Sequence, residues 1–97
     1  MPALTPAEAA ARLSSLPGWE IQGGELTRTF THADFRAALA FVNKVGDLAE
    51  EAGHHPDIEI RYNRVSLALM THDSGGITQL DLDLARAIDR VGAAGPA

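Results

Sequence analysis

Ninety-seven residues without a cysteine make one domain-sized chain that has neither a disulfide framework nor a zinc-thiolate site. Thirteen acidic against eight basic side chains, a net charge of −5, leave no basic stripe and argue against direct nucleic-acid binding. No basic stretch precedes a long apolar run at the start and no segment reaches bilayer length, so the expectation is a soluble, unprocessed, cytoplasmic protein that engages no membrane.

In chain order, Thr5-Pro6-Ala7-Glu8 combines an N-cap, a proline at the first helical position and an acid three residues on, which predicts a short helix ending at Leu16-Pro17-Gly18. Gly23-Gly24 then supplies a two-residue primed turn between Trp19–Gln22 and Glu25–Phe30, with Ile21 opposite Leu26 and Trp19 opposite Arg28. Thr31-His32-Ala33-Asp34 reads as a second capping box, opening a helix of some twenty residues. Phe35, Leu39, Val42, Gly46 and Ala49 form its first apolar stripe; Ala38, Phe41, Val45 and Leu48 form another. That arc is wider than one sheet face needs, and the surplus is expected to meet the first helix or a second copy of the chain.

Two alternating runs follow: Ile58, Ile60 and Tyr62, then Val65, Leu67 and Leu69. A turn at Asn63-Arg64 makes paired residue numbers sum to 127, keeps both apolar sets on one face and sets His72 opposite His55. The last helix is announced by Gly75-Gly76 and a third capping box, Thr78-Gln79-Leu80-Asp81, with Ile77, Leu80, Leu84, Ile88 and Val91 as its buried stripe. Residues 92–97 read as a frayed tail. The order αββαββα predicts a single α+β domain over residues 1–97, a four-stranded antiparallel sheet with its helices on one face.

The open end of the second hairpin gathers chemistry. His54 follows Gly53, the expected C-cap of the long helix, where the helix dipole favours an imidazolium. His55 and His72 join it, with Glu50 in the last turn of one helix and Asp81 in the first turn of the next. Taken singly, each histidine is a polar strand terminus, Asp81 a capping residue and Glu50 a solvated acid; their convergence carries the functional reading. His32 is expected at the surface. Adjacent residues of an extended chain point in opposite directions and no His-x-His or His-x-x-x-His spacing occurs, which argues against a metal site. Proton transfer remains, because histidine titrates near neutral pH and two or three rings around a cavity serve as acid and base.

Glu50-x-x-x-His54-His55-Pro56, Tyr62-Asn63, Thr71-His72, Gly75-Gly76 and Asp81 together resemble the signature of the pterin-4a-carbinolamine dehydratases. The Leu16–Trp19 segment, Phe30, Phe35 and Phe41 and the order of elements extend the resemblance over essentially the whole chain. It implies loss of water from a 4a-hydroxytetrahydropterin to give quinonoid dihydropterin, without metal or organic cofactor. It implies His54, His55 and His72 as catalytic residues supported by Glu50 and Asp81; the acid and base that the dehydration needs are then assigned to His54 and His72, with His55 binding or auxiliary. It further implies a homodimer or homotetramer and a link to an aromatic amino acid hydroxylase. The alternative on the same fold is a non-catalytic dimerisation or assembly cofactor. Two positions depart from the family pattern: Gly53 stands where an acid is common, and Ile58 where an aromatic is.

Overall fold

The structure, a computed structural model, describes residues 2–94. Helix α1 (Pro6–Arg12) starts as its capping box requires: Thr5 Oγ1 accepts the Glu8 N–H at 3.1 Å and Glu8 Oε1 accepts the Thr5 N–H at 2.8 Å. A 3₁₀ turn, Leu13–Ser15, brings the chain to strands β1 (Glu20–Gln22) and β2 (Glu25–Thr31). Gly23 and Gly24 take φ of 58° and 80°, and Ile21 pairs with Leu26, as a primed turn dictates. Helix α2 (Phe35–Ala52), strands β3 (Asp57–Arg61) and β4 (Arg64–Leu69), and helix α3 (Gln79–Ala94) complete the αββαββα order. The four strands form one antiparallel sheet in the order β1-β2-β4-β3.

One face of the sheet carries the core. Leu26, Val65, Leu67 and Leu69 are buried there against Ala38, Phe41 and Val45 of α2 and Leu82, Leu84, Ala85 and Ile88 of α3. Burying each of the valine, leucine, isoleucine and phenylalanine side chains among these contributes roughly 1.5–3 kcal/mol. The other face, lined by Glu20, Thr27, Thr29, Glu59, Ser66 and Ala68, is an open trough. Asp89 ties α3 to β2: its Oδ1 accepts from Trp19 Nε1 at 2.9 Å and Arg28 Nη1 at 3.0 Å.

The second hairpin is paired two residues away from its expected register. Ile58 pairs with Leu67 and Ile60 with Val65, so paired numbers sum to 125 rather than 127 and the turn is Tyr62-Asn63. Parity is unchanged, so the core face is the one expected, but His72 does not lie opposite His55. The cause is a reciprocal pair across the sheet: the His32 N–H donates to the Asn63 carbonyl at 2.7 Å, and Asn63 Nδ2 donates to the His32 carbonyl at 2.9 Å. Asn63 is thereby held at the second turn position, and Tyr62 takes the positive φ, 53°.

That pair also corrects two neighbouring expectations and decides which stripe of α2 is buried. Thr31 stays in β2, paired with Arg64, and Asp34 is the N-cap of α2, accepting the Ala37 N–H at 2.8 Å. His32 is not at the surface; it is 7 % exposed and packs against Phe41, with ring centroids 4.7 Å apart and the planes tilted by 40°. Phe41 therefore faces inward, and the Ala38, Phe41 and Val45 stripe is the buried one, joined by Ala49. Phe35 and Leu39 of the other stripe lie exposed. In α3 the inward position of the first turn belongs to Asp81, which leaves Leu80 exposed. The helix continues to Ala94, so residues 92–94 of the expected tail are helical; residues 95–97 lie outside the described residues.

Candidate active site

Helix α2 ends because Gly53 adopts the left-handed conformation, φ 62°, in which its N–H meets the carbonyls of Ala49 and Glu50. The His54 N–H returns to the Ala49 carbonyl at 3.1 Å, so the residue is fixed by the helix end it follows. Glycine adopts that positive φ without steric cost. Ile58 is half-exposed on the edge strand β3.

From this cap His54 reaches inward and His55 outward, as alternation requires. His54 Nε2 lies 2.5 Å from Asp81 Oδ1, with side-chain exposures of 13 % and 0 %. His55 Nε2 lies 2.5 Å from Glu50 Oε2, but both side chains are largely in solvent. The first pair is an interior contact and the second a rim contact screened by water.

Asp81 is where three segments of chain meet. Its Oδ2 accepts the Thr78 N–H at 2.8 Å, closing the third capping box, and the Thr71 hydroxyl at 3.0 Å. Thr71 follows β4 and immediately precedes His72, which opens a 3₁₀ turn, His72–Ser74, closed by Gly75 at φ 73°. A bridge between Thr71 and Gly76 anchors the turn. His72 is exposed. The structure thus joins His54 to Asp81 and seats His72 one residue beyond a second ligand of the same carboxylate, while His55 and Glu50 form a separate pair at the edge.

Thr71 and Thr78 had no functional assignment from sequence. The Thr-x-x-Asp spacing marked Thr78 as a cap, but nothing local signalled that Thr71, ten residues before Asp81, would share its carboxylate. Among the described residues no group of three or more His, Asp or Glu side chains is arranged to hold a metal ion. No helix among them is long and apolar enough to cross a membrane.

The sequence and the fold have counterparts among known proteins. The family profile described as Pterin 4 alpha carbinolamine dehydratase matches residues 2–91. A relative carrying the pterin-4-alpha-carbinolamine dehydratase name in Acidobacterium capsulatum is 60 % identical over 89 residues, 92 % of this chain and 97 % of its own. One in Chloroflexus aurantiacus is 57 % identical over 91 residues, 94 % and 98 % of the two chains. A Brucella melitensis crystal structure, described as a transcriptional coactivator/pterin dehydratase, superposes with a TM-score of 0.88 at 35 % identity, covering 93 % of this chain and 98 % of that one. A pterin dehydratase-like protein identified as a RuBisCO assembly factor in the alpha-carboxysome gives 0.66 at 25 % identity, covering 82 % and 93 %. The chain belongs to the pterin-4a-carbinolamine dehydratase family.

Proposed function

We propose that the chain catalyses dehydration of a 4a-hydroxytetrahydropterin to quinonoid dihydropterin, with His54 and His72 as the acid/base pair. In this reaction the C4a–O bond breaks as an acid protonates the departing hydroxyl, the N5 lone pair forms the C4a–N5 double bond, and a base takes the N5 proton; water is the only other product. Neither a nucleophile nor a redox partner is needed. The observation that carries the proposal is the buried His54–Asp81 pair, whose carboxylate is shared with the residue preceding an exposed histidine. A carboxylate behind an imidazole orients the ring and stabilises its protonated form, while the second ring stays open to solvent and ligand. His55, paired with Glu50 at the rim, serves binding or proton supply.

The relatives' shared name supports this reading. An additional assembly role is favoured by one observation, the exposed Phe35 and Leu39 on the outer face of α2, together with the assembly factor of similar fold. Self-association through that face into a homodimer or homotetramer, and a functional link to an aromatic amino acid hydroxylase that generates the pterin substrate, belong to the same proposal.

Coupling to a hydroxylase tests it. With the hydroxylase turning over, addition of the chain is expected to lower the steady level of 4a-hydroxytetrahydropterin and speed the absorbance rise of quinonoid dihydropterin. An unchanged steady level at chain concentrations equal to the hydroxylase would favour the purely binding role.

A further inference from the structure

The two oxygens of Asp81 are used unequally. Oδ2 accepts from the Thr78 N–H and from the Thr71 hydroxyl, whereas among the described residues Oδ1 faces only His54 Nε2. A hydroxyl has one hydrogen. Thr71 spends its own on Asp81, so in the 2.7 Å contact between Thr71 Oγ1 and Thr78 Oγ1 the donor is Thr78. Thr78 Oγ1 in turn accepts from the Leu80 N–H at 3.2 Å. The chain therefore runs one way: Leu80 N–H, Thr78 O–H, Thr71 O–H, Asp81 Oδ2. Thr78 and Asp81 are fully buried and Thr71 is 9 % exposed, so bulk water does not compete for these groups.

A carboxylate that already accepts two hydrogen bonds in the first turn of a helix is an acceptor at its other oxygen too. The proton between Asp81 Oδ1 and His54 then sits on Nε2, and in a neutral imidazole the other nitrogen carries the lone pair.

We propose that Thr71 and Thr78 are positioning residues whose one-way hydroxyl relay holds Asp81 so that His54 is fixed as the Nε2–H tautomer, making Nδ1 the ring atom that exchanges protons with a ligand. The tautomer follows from the buried network alone; its consequence for rate rests on the dehydratase reading. Thr71→Val removes one donor from a buried oxygen, which leaves the carboxylate free to turn toward other donors and loosens its hold on His54.

Nitrogen NMR of the histidine rings in ¹⁵N-labelled chain, at an alkaline pH where the imidazoles are neutral, reads the tautomer directly. Wild type is expected to show His54 as Nε2–H only, Thr71→Val to admit the Nδ1–H form, and Thr71→Ser to restore the wild-type pattern. Thr78→Ala breaks the relay one link earlier and is expected to act as Thr71→Val does, which provides a second reading if the valine variant does not fold. In the dehydration assay Thr71→Val should lower kcat on the order of 10-fold with little change in KM and shift the pH profile of kcat, with recovery in Thr71→Ser. A wild-type His54 protonated on Nδ1, or relay variants that keep the wild-type tautomer and pH profile, would overturn the proposal. An inactive wild type with the expected tautomer pattern would instead remove the dehydratase reading and leave the relay standing.

Discussion

His54 and Asp81 are 27 positions apart in the chain and 2.5 Å apart in space, joined where the carboxyl end of α2 meets the amino end of α3. The contact therefore links the two core-covering helices at the point where proton transfer is proposed.

Removing the charge of this pair while keeping its shape separates its two roles. Asp81→Asn is expected to destabilise the fold by about 1–3 kcal/mol, because a buried amide cannot accept from every donor now facing the carboxylate. Dehydration should slow on the order of 10²-fold, since His54 loses the acceptor that orients it. Urea unfolding and the dehydration rate of the same sample check both.

The exposed histidine is expected to behave differently. His72→Ala removes a solvent-facing ring and should change unfolding free energy by no more than about 0.5 kcal/mol. The same variant should lose on the order of 10²- to 10⁴-fold in dehydration rate, as an absent general acid or base costs. A stable variant retaining wild-type turnover would remove His72 from the chemistry.

Glu50 and His55 face water, so their contact is worth roughly 0–1 kcal/mol. Glu50→Gln should leave the melting temperature almost unchanged and reduce the rate less than either His54→Ala or His72→Ala. Because exposed charges are screened by salt, the rate difference between wild type and Glu50→Gln should shrink as ionic strength rises. Rates measured across a salt series check this.

His32 supplies a pH dependence of stability. Neither of its ring nitrogens meets a hydrogen-bond partner among the described residues, and burial holds its imidazole below the ordinary histidine range. Above about pH 6.5 the ring is neutral in both folded and unfolded chains and the group imposes no proton-linked penalty. As pH falls from there toward the depressed folded value, the unfolded chain takes up the proton first and stability is lost. His32→Leu should remove this component, so wild type is expected to lose more stability than the variant between neutral and mildly acidic pH. Denaturation midpoints across that window check the sign, and parallel curves for the two proteins would contradict it.

Features specified by neighbouring residues were legible in the sequence. The Thr5 and Thr78 capping boxes, the Gly23-Gly24 turn and the Gly53 cap each need only a few consecutive residues, and each stands as read. The second hairpin's register was not legible, because Asn63 is held by His32, 31 positions away. The same tie keeps Thr31 in the sheet, buries His32 and turns Phe41 inward, which selects between two stripes that periodicity alone left equivalent. At the candidate site the histidines and acids were legible as a cluster, but the hydroxyls that complete it were not. Thr71 and Thr78 look like ordinary strand-end and cap residues until the fold brings Thr71 to the Asp81 carboxylate.

The most direct measurement is the first-order decay of 4a-hydroxytetrahydropterin with wild type, His54→Ala or His72→Ala present at catalytic concentration, followed as quinonoid dihydropterin absorbance. Acid/base dehydration by these rings predicts a decay accelerated in proportion to wild-type concentration and returned toward the uncatalysed rate by either substitution. A decay that wild type does not accelerate, or that both variants accelerate equally with it, would contradict catalysis by these two histidines.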